Sequence, residues 1–129
     1  MGRGSLEPHR LLQAVASAHE VQALQVAASQ VKVAAPVASY VVALCERSRQ
    51  PGFAQSGLST RAALTLMRSA MATALWSGRS FVTPDDVKAV ARPVMAHRMN
   101  AVGSDGLAGS RAESEQLVER LLSDVAVPL

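Results

Sequence analysis

The clearest chemical use in this sequence belongs to an arginine in the first turn of a helix. Arg61 follows Gly57 and the cap-type residues Ser59 and Thr60. Its guanidinium therefore stands beside free backbone N–H groups at the positive end of a helix dipole, an arrangement that attracts an anion. A guanidinium also presents a planar set of donors that fits phosphate and needs no proton balance. On residue types alone a solvated surface arginine is the simpler account, because isolated exposed charges usually do little. Arg68 on the same helix and Arg79 after Gly78 could extend a basic edge, although a surface or interhelical salt bridge accounts for both. Arg49 is a further candidate, for contact with another domain.

The other reactive residue types are scattered. Cys45 falls on an apolar helical stripe and fits a small buried hydrophobe better than a nucleophile. His9, His19 and His97 are far apart and lack the Cys/His spacing of a metal site. Asp85 and Asp86 could suggest paired catalytic carboxylates, but they directly follow Thr83-Pro84, where acids compensate a helix dipole. Met67, Met71 and Met95 recur at helical spacing and are expected in the core. No catalytic constellation emerges.

Positioning Arg61 requires helices, and the punctuation of the sequence supplies five. Ser17 with Glu20 has capping-box spacing, and Val21, Leu24 and Ala28 then form one apolar stripe ending near Ser29. Val31-Lys32-Val33 alternates like a very short strand. Pro36 suits the first turn of a second helix, buried through Val37, Tyr40, Val41, Leu44 and Cys45 and running to about Ser48. Pro51, Gly52 and Gly57 force a turn before Ser59 caps the third helix, whose face is Leu64, Met67, Ala70, Met71, Ala74 and Leu75. Gly78 is a left-handed stop. Phe81-Val82 is a second extended piece, and Thr83-Pro84-Asp85-Asp86 opens a fourth helix with Val87, Val90, Ala91, Val94 and Met95 inward. Pro93 is expected to kink or split it. Residues 100–109 hold three glycines and read as a flexible loop. Ser110 with Glu113 then caps a fifth helix bearing Leu117, Val118, Leu121, Leu122 and Val125. Residues 1–11 read as a flexible linker or chain end, and 12–129 as one domain.

Composition agrees with an all-α fold. The chain has 129 residues, enough for one core that buries roughly two-thirds of the extended surface. Hydrophobic residues make up 49% but aromatics only 3%, a mix suited to closely packed helices. A single cysteine cannot form an internal disulfide, and the polar, turn-rich start lacks the pattern of a signal peptide. No stretch approaches about 18 consecutive apolar residues, so no membrane span is expected and a cytoplasmic protein is. The net charge is +3 and the pI about 9.8. Yet the basic residues stand singly among acidic ones, which disfavours nucleic acid as a partner. A small helical nucleic-acid-binding or protein-interaction module is the alternative these features leave open.

Several motifs in order carry a family resemblance. Gly57-Leu58-Ser59-Thr60-Arg61-Ala62-Ala63-Leu64 resembles the start of the sensor-2 helix in the lid domain of MoxR-type AAA+ ATPases. Gly78-Arg79-Ser80-Phe81-Val82-Thr83-Pro84-Asp85-Asp86-Val87 is similar to the family's strand-to-helix passage, and the His97-Arg98 pair follows. Val31-Lys32-Val33 and the stretch from Tyr40 to Ser48-Arg49 match in order and spacing. The resemblance covers residues 17–98 and, more weakly, the last helix. It departs at Ala34-Ala35, where the family usually offers a polar cap, and at Thr60, where proline is common.

The resemblance implies a helical bundle of four to five helices in which residues 31–33 pair with Phe81-Val82 as a minimal two-stranded ribbon. It implies that Arg61, with Ser59 and Thr60, meets the phosphates of ATP as the sensor-2 arginine. It further implies a separate nucleotide-binding core that holds ATP with magnesium, neighbouring subunits of a homo-hexamer, and a chaperone-like role. No Gly-rich loop ending in Gly-Lys-Ser/Thr and no magnesium-binding strand end occurs in this sequence, so the chain by itself is expected neither to hydrolyse ATP nor to bind it tightly.

Overall fold

The computed structural model describes residues 11–100 and 110–129. The expectations for the first ten residues, His9 included, and for the glycine-rich stretch 101–109 lie outside the described residues. Five α-helices follow in order: α1 Ala18–Ser29, α2 Ala35–Ser48, α3 Thr60–Trp76, α4 Pro84–Met95 and α5 Arg111–Asp124, with a 3-10 turn at Ala96–Arg98. No helix among the described residues is long and apolar enough to cross a membrane.

Each helix but one begins at a side chain that accepts from one of its free N–H groups. Ser17 and Glu20, Thr83 and Asp86, and Ser110 and Glu113 form reciprocal capping boxes at α1, α4 and α5. Ser59 alone caps α3. At α2 the cap is Ala34, which has no side-chain acceptor; Pro36 in the first turn lacks an N–H and has φ preset for a helix. The family's polar cap is therefore dispensable here. At the far end of α3, Gly78 has φ +74°. Its N–H donates to Leu75 O and the Arg79 N–H to Ala74 O, both at 2.9 Å, which closes the helix in a Schellman motif.

The core lies between α3 and α4, whose packing is the most extensive in the molecule, with α2 and α5 closing it. Leu44, Leu58, Leu66, Val87, Met95, Met99, Val118 and Leu121 are fully buried. The stripe expected on α2 is buried in full. On α3 the buried row is Ala62, Leu66, Ala70 and Ala74, with Met67, Met71 and Leu75 half-buried beside it. Leu64 stands two residues out of register with that row and is exposed, a correction to the expected face. Alanine at three of the four places in that buried row lets the neighbours of α3 approach closely, which explains how a domain so poor in aromatics packs.

Two further elements carry more than periodicity alone reveals. α1 buries none of its residues: Val21 and Leu24 are exposed, and Ala27 and Ala28 are its least exposed positions where it meets α3. An apolar stripe read from periodicity reports a face that repels water, without saying that this chain covers it. Pro93 does not split α4; the helix runs through it and tightens to the 3-10 turn three residues later.

The expected ribbon is reduced to one parallel bridge between Lys32 and Phe81. Lys32 N–H donates to Ser80 O at 2.8 Å and Val82 N–H to Lys32 O at 2.9 Å. An antiparallel bridge between Ser56 and Asn100, with Gln55 N–H donating to Asn100 O at 2.8 Å, is a second tie the sequence did not suggest.

Candidate functional site

The segment that leads into α3 is fixed by the last turn of α2. Ser48, fully buried, donates its hydroxyl to Cys45 O at 2.7 Å and accepts the Leu58 N–H at 2.9 Å. The other side of the same peptide is held by Arg49, whose Nε donates to Leu58 O at 2.6 Å. Leu58 is thus gripped at both backbone groups while its side chain fills the core. Gly57 makes that approach possible. A Cβ there would lie 2.8 Å from both Arg49 Cα and Ser48 O, inside backbone that cannot yield.

The preceding turn is anchored by stacking. Phe53 is buried, with the Arg47 guanidinium 4.5 Å and the Arg120 guanidinium 5.2 Å from its ring centre. Arg47 in turn bridges to Asp124 on α5 at 2.6 Å. Phe53 is therefore held by α2 and α5, which are themselves tied together, and the start of α3 inherits a fixed position.

At that start, Ser59 Oγ accepts the Ala62 N–H at 3.1 Å. Thr60 and Arg61 are exposed, and no acidic residue occupies the first turn. The Arg61 side chain has no hydrogen-bond or carboxylate partner among the described residues. Unsatisfied N–H groups, an uncompensated dipole and a free guanidinium coincide at one exposed point, which can take an anion such as a phosphate oxygen.

The remaining candidates fall elsewhere. Arg68 is exposed, further along α3. Arg79 forms the expected salt bridge, a bidentate pair with Asp86 at 2.7 and 2.6 Å. Asp86 is buried and also accepts from Thr83 N–H and Thr83 Oγ1. The Arg79 hydrogen bonds, opposed by burial and helped by Thr83, lower its carboxyl from 3.8 to about 2. Asp85 and Asp86 are thus structural acids at a helix start. Burial pushes the Cys45 thiol up, away from reactivity. His19 and His97 are exposed, and no cluster of three or more His, Cys, Asp or Glu able to hold a metal occurs among the described residues.

A groove of about 650 Å³ between the end of α4 and the start of α5 is lined by Arg92, His97, Asn100 and Arg111 among others, and includes none of Ser59, Thr60 or Arg61. Arg92 and Arg111 are engaged there by Glu119 and Glu115. Sequence reasoning missed Ser48: it stands at a helix end, and only the tertiary fold brings Leu58 onto it. Arg49, a candidate for contact with another domain, braces Leu58 through its Nε.

Comparison with known proteins matches this segment. The family model described as the AAA lid domain covers residues 46–121, which contain Ser48, Gly57 and Arg61. The chain is 30% identical to YeaC of Bacillus subtilis, an uncharacterised protein, across 95% of its own length and 38% of that protein. It is 41% identical to MoxR of Paracoccus denitrificans across 46% of its length and 22% of that protein. A crystal structure from Cytophaga hutchinsonii, assigned as an ATPase, superposes with TM-score 0.71 at 26% identity, over 86% of this chain and 36% of that one. The chain spans well under half the length of each of these relatives.

Proposed function

Because this chain belongs to the AAA lid domain family and is of the MoxR type, we propose that it senses the nucleotide held by an ATPase core through Arg61. The observation that carries the proposal is the free guanidinium of Arg61 at an acid-free helix start, held in place by Ser48, Arg49 and Gly57. As phosphoryl transfer proceeds, charge on the phosphate oxygens is met by a rigid planar cation. Ser59 and Thr60 line the same entrance, with backbone N–H groups directed outward. ATP and its magnesium belong to the core. The lid converts the presence or loss of the terminal phosphate into a change of its own position. By resemblance, the whole protein is a cytoplasmic homo-hexamer with chaperone-like work.

The test is Arg61→Ala and Arg61→Lys in the full-length ATPase. Arg61→Ala is expected to lower kcat on the order of a hundredfold, and Arg61→Lys to recover only part, since a point charge lacks the planar fork. Thermal unfolding of the 129-residue chain should be unchanged by either. ATP turnover within about twofold of the parent in Arg61→Ala overturns the proposal.

A further inference from the structure

We draw no further inference here: the strongest candidate, the groove of about 650 Å³ between the end of α4 and the start of α5, carries nothing, because its two arginines, Arg92 and Arg111, are already answered by Glu119 and Glu115 and nothing in the structure shows what covers it.

Discussion

The starts of α3 and α4 are built from the same cap chemistry and carry opposite charge. At α4, Thr83 caps, Asp85 and Asp86 fill the first turn, and Arg79 closes over Asp86 with two hydrogen bonds. Every positive group there is answered by a carboxylate of the chain itself. At α3, Ser59 caps, Ala62 stands where α1, α4 and α5 place Glu or Asp, and Arg61 adds charge to an end already positive. Ala62 is a core residue at 2% exposure, so an acid cannot be placed there without disrupting packing. A helix start that neutralises itself serves stability. One that leaves its charge open needs support from elsewhere in the fold, and here α2 supplies it through Ser48 and Arg49.

The largest expected effect comes from opening the closed start. Asp86→Asn removes the charge that binds Arg79 and weakens the acceptance of Thr83 N–H and Oγ1. The loss expected in urea unfolding of the 129-residue chain is about 2 kcal/mol, below the roughly 3–5 kcal/mol for breaking a fully buried ion pair because the Arg79 side chain is 30% exposed. The sign of its pH dependence is fixed. The folded carboxyl titrates at about 2 against an ordinary 3.8. Its contribution is complete above the ordinary value and disappears as pH falls through about 2. The gap between parent and Asp86→Asn should therefore shrink between pH 4 and pH 2. A constant gap over that range would mean that the loss is one of packing and not of charge.

The contrast also explains how much could be foreseen. Caps, glycine stops and the α2 and α5 stripes were legible because each depends on residues within one turn of one another, and the structure bears them out at Ser17, Ser59, Gly78, Thr83 and Ser110. The α3 face was half legible. A helix with apolar residues on several sides leaves the buried row undetermined, so Leu64 was expected inside where Leu66 is. The brace under Arg61 was not legible, because Ser48 and Leu58 meet only when α2 and the following turn fold back on each other. Arg61 itself was named by motif resemblance; its residue type alone favoured a plain surface arginine.

A middle-sized effect tests that brace. Ser48→Ala strands the buried Leu58 N–H without its acceptor, which costs about 1–2 kcal/mol in chemical unfolding of the 129-residue chain. In the full-length ATPase it should also lower kcat severalfold with Arg61 intact, because the backbone that presents Arg61 at the start of α3 is fixed through Leu58. A stability loss with unchanged kcat would separate the brace from the site, leaving Ser48 a core residue only.

The smallest effect is the sharpest for the comparison, because stability and function should move in opposite directions. Thr60 is exposed and occupies the first position of α3, a place in the first turn where an acid can stand with Arg61 kept. Thr60→Glu gives α3 the compensation that α4 already has, and is expected to stabilise the isolated chain by about 0.3–1 kcal/mol. At the same time its carboxylate lies beside Arg61, where it competes for the guanidinium and repels phosphate. About 1.4 kcal/mol of such interference corresponds to a tenfold loss, and kcat of the full-length ATPase should fall by about that factor. Calorimetry on the 129-residue chain and steady-state turnover read the two halves independently. A variant that gains stability and keeps its turnover would show that the open charge at the start of α3 serves no anion.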